Sequence, residues 1–436
     1  MFKDINIQLF AAGDVVNYAG DGVAANAGTY DTNQNQPVHQ GDLAPEIKEF
    51  YSKVLLELAG PNLVHDQFGQ KRPIPRGNGR TVEWRKFSKL PKALVPLTEG
   101  VTPAGNKLNV TAVTGTVEQY GDYVESTDLL DLIAIDNVKS ETAKLLADQA
   151  GLTMDTVVRN ELVGGTNVFY ATKVTGGTET EVTSRTDLTA DCRLRVKDIF
   201  KVAAEMKAVN APKINGSYVA IIHPYVSHDI MMEAGEAWIG LQKYTNNVNK
   251  VYEGEIGMLA GIRFVETTEA KIYGPAVINN GLSRLTVASN VSSSTSVVVN
   301  ETLEAATYTT PIPVYVGGVA NTITAVAVDA SNGAATLTLG TAVTASEGTV
   351  ICGTGGGKDG SAVFCTLFLA ENAYGVTDLE GAGLEYIAKQ RGYGNDPLNQ
   401  RSSQGWKGTK GAKRLLEEYM IRYESGSAFS AEAETN

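Results

Sequence analysis

The sequence predicts an α+β chain that combines a projecting β-ribbon, a long helix, an α/β unit and an inserted all-β stretch. Three observations carry this. Residues 71–123 write a hairpin with a proline-punctuated tip. Residues 126–162 place apolar side chains at three-and-four spacing, the period of a helix. Residues 279–361 change to short runs of Ser, Thr, Val, Ala and Gly divided by turn signals. With 436 residues, 43% of them hydrophobic and 20% charged, the chain has ample material for a buried core.

The ribbon is the most specific of the three. Residues 80–87 alternate polar and apolar side chains as a half-covered strand does. The returning arm, 108–123, is rich in Thr, Val and Tyr and has no proline. At ~3.3 Å per residue, about fifteen residues of unbroken strand span ~50 Å, more than twice a usual strand. Between the arms, Pro91, Pro96 and Pro103 punctuate a tip that carries Leu94, Val95, Leu97 and Val101. These four sit too far out to reach the chain's own core. Apolar surface on a projecting ribbon is normally covered by another molecule. Lys71, Arg72, Arg76, Arg80, Arg85, Lys86, Lys89 and Lys92 are opposed over the same stretch by Glu83 alone. The whole chain has 49 acidic against 37 basic residues and a net charge of −12. A basic arm on an acidic protein suits an acidic partner, in the first place another copy of itself. A nucleic-acid binder usually shows a basic domain. A solvated edge that deters strand pairing explains the arginines but not the apolar tip.

The remaining elements follow in order. Residues 10–41 are rich in Gly, Ala, Asn, Gln and Asp without periodicity, a flexible segment or an arm laid against neighbours. Residues 43–59 read as a short amphipathic helix, with Asp42 as N-cap, Pro45 in the first turn and Gly60-Pro61 closing it. Ser126 or Thr127 opens the long helical pattern, which breaks near Asp136 and ends at Gly164-Gly165. Leu132, Ile135, Val138, Leu145, Leu146, Leu152, Val157 and Val158 keep its spacing, and from 136 to 163 it is ~40 Å long. Asp131, Asp136, Glu141, Asp148 and Asp155 give it a partly acidic surface, a candidate face for a neighbour's basic ribbon, diluted by Lys139 and Lys144. A scaffold helix with solvated charges accounts for any single carboxylate equally well. Residues 168–189 are a hairpin pattern around Gly176-Gly177. An amphipathic helix at 195–207, a buried strand at 217–222 ended by His223-Pro224, a helix at 227–234 and a strand–turn–strand at 255–266 make the α/β unit.

This order, with the His223-Pro224 strand end and Glu255-Ile-Gly-Met-Leu-Ala-Gly-Ile-Arg-Phe-Val-Glu266, resembles the major capsid proteins of tailed bacteriophages. Theirs is the Johnson or Hong Kong-type fold, shared with herpesvirus shells. Asp396-Pro-Leu-Asn-Gln-Arg-Ser-Ser-Gln-Gly-Trp-Lys407 and Leu415-Leu-Glu-Glu-Tyr-Met-Ile-Arg-Tyr-Glu424 resemble the closing strands of one branch. The likeness spans 43–276 and 363–428, and order along the chain carries it more than any one motif. It implies an N-terminal arm at 1–42, a peripheral-domain helix region at 43–70, the E-loop at 71–123, and the peripheral (P) domain with spine helix and hairpin at 124–192. The axial (A) domain would occupy 193–278 and 362–394, around an inserted β domain at 279–361, with P-domain closing strands and C-terminus at 395–436. It also implies hexamers and pentamers of the chain itself, forming an icosahedral head around double-stranded DNA that is enclosed without sequence-specific binding. Portal and decoration proteins are further implied partners, with no membrane and no cofactor. The chain would be found in the virion after assembly in the host bacterial cytoplasm. Many members begin with a long helical scaffolding segment; some 40 low-complexity residues are too few for that, so a separate scaffolding protein is expected.

Residues 279–361 depart from that pattern and are expected to form an Ig-like sandwich or small barrel on the outer face of the shell. Chemistry is sparse. His223 and His228 are five apart, off one helical face, and fit strand-end polar contacts rather than a metal site. Cys352-Gly-Thr-Gly-Gly-Gly-Lys-Asp359 fails as a phosphate loop, because Gly353 is out of register and Asp359 replaces the required Ser or Thr. Cys192, Cys352 and Cys365 make no disulfide framework, so reduced thiols are expected. Asp4 and Gln8 interrupt the opening residues, so no signal peptide is expected, and no run approaches the ~20 apolar residues of a membrane helix. The alternative, a secreted surface-layer or adhesin protein, predicts such a signal; an enzyme predicts a pocket with clustered ionisable residues.

Overall fold

The structure is a computed structural model. It describes residues 64–94, 96, 99–100, 105–133, 138–235, 255–329, 333–381, 383–392 and 396–436. The expected arm at 1–42 and helix at 43–59 lie outside these residues. The chain divides into two compact units, the first including 71–158 and 376–412, the second 65–70, 159–375 and 413–436.

In the first unit, Thr81–Phe87 pairs antiparallel with Val110–Thr116, from Thr81↔Thr116 to Phe87↔Val110. The expected single long return strand is broken. At Val117, 3% exposed, the chain leaves the ribbon, and Glu118–Thr127 pairs instead with Arg401–Arg414. The ribbon ladder is therefore seven residues, or ~23 Å. A buried valine and a new partner strand explain the break: the lower half of the return arm gains more by joining a sheet than by extending a two-stranded one. Arg401–Arg414 also pairs with Glu385–Lys389. Gly121 is required where strands meet, since a Cβ there would lie 2.6 Å from the Trp406 carbonyl oxygen.

Helix α1, Asp128–Ile133, starts at Thr127, whose Oγ1 accepts from the Leu130 N–H, as the capping pattern predicts. Helix α2, Val138–Val163, is 26 residues or ~39 Å long. Leu146, Ala147, Ala150 and Met154 bury one face of it against Tyr386 and Trp406. Gln149 fixes the registration, donating to Asp122 Oδ2 at 2.6 Å and accepting from Trp406 Nε1 at 3.1 Å.

The second unit is built on a seven-stranded mixed sheet. Its fully buried central strand, Tyr218–Ile222, runs parallel to Ile262–Glu266 and antiparallel to Val363–Leu369. Helices α3, Val196–Ala208, and α4, Pro224–Ala234, share its core through Ile199, Val202, Met206, Val226 and Ile230. Met420–Ser425 pairs along Val363–Leu369 from Phe364↔Ser425 to Leu369↔Met420. Residues 413–436 therefore belong to this unit rather than to closing strands of the first, because Ile421 and Tyr423 complete its core. Residues 376–392 fall in the first unit and 159–192 in the second.

The inserted stretch forms one six-stranded sheet, in the order Arg284–Thr286, Val350–Gly353, Ala306–Val316, Val319–Val328, Ala335–Ala345, Val291–Val299. Its two ends meet: Val287 bridges Val299, and the Ala288 N–H donates to the Val298 carbonyl at 2.9 Å. A sheet closed on itself is a barrel, so the Ig-like two-sheet arrangement is not the one formed. Leu285, Val297, Ile323, Leu337 and Ile351 fill it, all 0% exposed. Ala306–Val316 runs through two prolines. A register shift between Thr307 and Ile312 takes up Pro311, and Pro313 lies opposite Thr322.

Candidate inter-subunit surface

The ribbon is covered at its root and bare at its end. Val82 and Trp84 are 9% and 5% exposed, whereas Phe87 is 62%, Leu90 54%, Leu94 80%, Leu108 67% and Val110 50% exposed. Phe87 and Val110 lie opposite each other in the ladder. Of the four tip residues picked from sequence, Leu94 is exposed as expected, and Val95, Leu97 and Val101 lie outside the described residues. Phe87, Leu90, Leu108 and Val110 were missed. For Phe87 and Val110 the signal was the strand alternation itself, which leaves one face of a two-stranded sheet uncovered; Leu90 and Leu108 lie just beyond the paired strands.

Lys71, Arg72, Arg76, Arg80, Arg85, Lys86, Lys89 and Lys92 are all exposed. They do not form a single basic face. Successive strand residues point to opposite sides, so Arg85 lies with Glu83 and Phe87, and Lys86 with Val82 and Trp84. Arg85 Nε is 2.7 Å from Glu83 Oε1, and this hydrogen bond pushes the guanidinium pKa above its usual value. The Arg72 guanidinium donates to the Glu83 carbonyl at 3.4 Å.

Helix α2 also exposes apolar side chains. Opposite its buried face, Leu145 and Leu152 are 68% and 39% exposed. With Asp148, Gln149, Thr153, Thr156 and Val157 they line a shallow, open groove. The apolar spacing read from sequence therefore supplied two faces, only one of which is covered among the described residues. Among the expected acidic positions, Glu141 and Asp148 are exposed, and Glu141 Oε1 holds Lys144 at 2.9 Å. Asp155 is 0% exposed and presents nothing to a neighbour; it lies on the packed side of the helix. Asp131 lies on α1 and Asp136 outside the described residues.

Elsewhere, His223 and the three cysteines are held within the fold. His223 caps α4, its Nδ1 accepting from the Tyr225 N–H at 3.2 Å, and burial lowers its pKa to about 4. The Cys352 and Cys365 thiols are pushed up to about 11 and about 12, chiefly by burial, and are unreactive in that state. The Cys192, Cys352 and Cys365 side chains are unpaired and buried. Among the described residues, no three His, Cys, Asp or Glu side chains come together to hold a metal ion, and no helix is long and apolar enough to cross a membrane. Residues 352–359 turn into a single 3-10 turn, Lys358–Gly360, rather than the helix a phosphate loop needs.

The capsid of Ralstonia phage GP4 superposes on 98% of this chain and 100% of its own, with a TM-score of 0.51 at 12% identity. The fold is that of a phage capsid protein. The capsids of cyanophages P-SCSP1u and Pam1 are also similar. The first is 13% identical, with TM-score 0.48 over 95% of this chain and 97% of that one. The second is 10% identical, with TM-score 0.49 over 94% and 100%. The phage capsid protein family model matches residues 154–339. That match ends inside the barrel strand Ala335–Ala345, so the stretch that stood apart as a departure from the capsid pattern lies largely within the matched region. No curated protein matches the chain.

Proposed function

We infer that this chain is the major capsid protein of a tailed phage, assembling with copies of itself into hexamers and pentamers of an icosahedral head that encloses double-stranded DNA. The observation that carries this is the bare apolar end of the ribbon on a chain with the phage capsid fold. Five large apolar side chains, Phe87, Leu90, Leu94, Leu108 and Val110, are exposed among the described residues. The ribbon end of one subunit covers the Leu145–Leu152 groove on α2 of the next, with Lys89 and Lys92 near Asp148. Single exposed ion pairs contribute only ~0–1 kcal/mol, so apolar area summed over many copies supplies the stability and charge sets the register. Net negative charge keeps the shell lining from binding DNA phosphates through lysine. The barrel stands on the outer surface. A separate scaffolding protein guides assembly in the host cytoplasm, and portal and decoration proteins complete the virion.

Negative-stain microscopy and sedimentation of the full chain, alone and co-expressed with a candidate scaffolding protein, test the reading. Closed shells or capsomers are expected. A monodisperse monomer under both conditions overturns it.

A further inference from the structure

The barrel joins the α/β platform through a neck of two adjacent chain segments. The Ala276 N–H donates to the Thr354 carbonyl at 2.8 Å. Glycines allow this approach: a Cβ on Gly353 would lie 2.0 Å from the Ala276 carbonyl oxygen, and one on Gly356 3.0 Å from the Pro275 nitrogen. Two connections side by side favour rotation about one line, opposed close to the neck by the Lys358 N–H, which donates to the Leu188 carbonyl at 2.7 Å. A contact farther from that line has the longer lever with which to arrest it.

Residues 426–436 provide one. The Gly426 N–H donates to the Cys192 carbonyl at 2.7 Å, and the Ala428 N–H to Asp229 Oδ2 at 3.0 Å. Phe429 stacks on Tyr225 of α4 with ring centroids 4.5 Å apart. Farther on, Asn436 Oδ1 accepts from the Ile272 N–H at 2.9 Å and its Nδ2 donates to the Ala270 carbonyl at 2.9 Å. Between these anchors the segment meets the barrel. Arg284, on the barrel strand Arg284–Thr286, donates to Glu432 Oε1 at 2.6 Å and to the Ala431 carbonyl at 3.1 Å. The same stretch is tied back to the platform by the Ala362 N–H, which donates to the Ala431 carbonyl at 2.9 Å.

We propose that residues 426–436 are a strap that arrests the barrel on its hinge, with Arg284 as the clasp. The barrel's bearing on the platform is then set by a side-chain contact that can be released without unfolding either part. This holds for the free subunit and does not rest on the assembly reading.

The test is a distance measurement between spin labels on the full chain. Cys192, Cys352 and Cys365 are buried, so labels go to Thr295→Cys on the barrel and Lys207→Cys on the platform, both exposed positions. Arg284→Met keeps the aliphatic stem and removes the clasp; Phe429→Ala loosens the strap at a site remote from the barrel. Both are expected to broaden the distance distribution at least twofold and to speed exchange of the Ala362 amide at least tenfold, with the barrel ladder amides unchanged. An unchanged width in either variant overturns the proposal. So does faster exchange throughout the barrel in Arg284→Met, which would make Arg284 a part of the barrel's own fold.

Discussion

The ribbon and the barrel are both antiparallel β-structure rich in Val and Thr, yet they dispose of their apolar side chains in opposite ways. In the barrel, six strands close on themselves, and Leu285, Val297, Ile323, Leu337 and Ile351 are all 0% exposed. In the ribbon, two strands have no inside, and its end leaves Phe87, Leu94 and Leu108 at 62%, 80% and 67% exposure. The difference is strand number rather than residue type. A closed sheet completes its own core, whereas a two-stranded sheet is marginal until something else covers it. The barrel encloses its apolar side chains, and the ribbon end leaves its own exposed among the described residues.

That contrast breaks first at the barrel. Leu337→Ala is expected to cost ~2–5 kcal/mol of unfolding free energy, the range for a buried leucine truncated to alanine, read from urea denaturation. A cost near zero would mean the barrel core is loosely packed and the contrast false.

The platform beneath it is expected to respond to acid. Folding lowers the His223 pKa from 6.5 to about 4, so the folded state binds the proton less readily than the unfolded one. Its stabilising contribution is complete above pH 6.5 and is lost as pH falls from 6.5 towards 4, amounting to ~3 kcal/mol. His223→Asn, which retains a capping side chain, should flatten stability between those pH values. An unchanged acid slope would assign it to other groups.

Reversing Arg80, Arg85 and Lys86 together to Glu is expected to lower particle yield steeply at low salt while leaving subunit stability nearly unchanged. Normal particles from this variant would remove the basic arm from assembly. The smallest effect on the subunit is predicted for Phe87→Ser with Leu94→Ser, within ~0.5 kcal/mol per site because both side chains are exposed. The same pair should reduce shell yield at least tenfold. If the variant instead unfolds early, the ribbon end belongs to the subunit's own core and the comparison fails.

Local patterns could be read where each element's signal is local. Strand alternation located Thr81–Phe87, Thr127 marked the start of α1, Gly164-Gly165 the end of α2, and Gly176-Gly177 a turn between two short strands. The candidate surface was partly legible: the basic side chains and Leu94 are exposed. Asp155 was misplaced because a carboxylate's charge does not tell which side of a helix packs. Leu145 and Leu152 keep the helical spacing yet are exposed, because three-and-four spacing does not distinguish a face that is covered from one that is not.

The sequence by itself determined the order of elements, the charge contrast between ribbon and whole, and the presence of an all-β insertion, since each depends on neighbours within a few residues. Only the tertiary structure decided which strands pair. It split the return arm at Val117, closed the insertion into a barrel through Val287 and Val299, and gave Met420–Ser425 to the seven-stranded sheet. Strand partners lie tens to hundreds of residues apart, and the free energy that selects among them is burial, which no local pattern records.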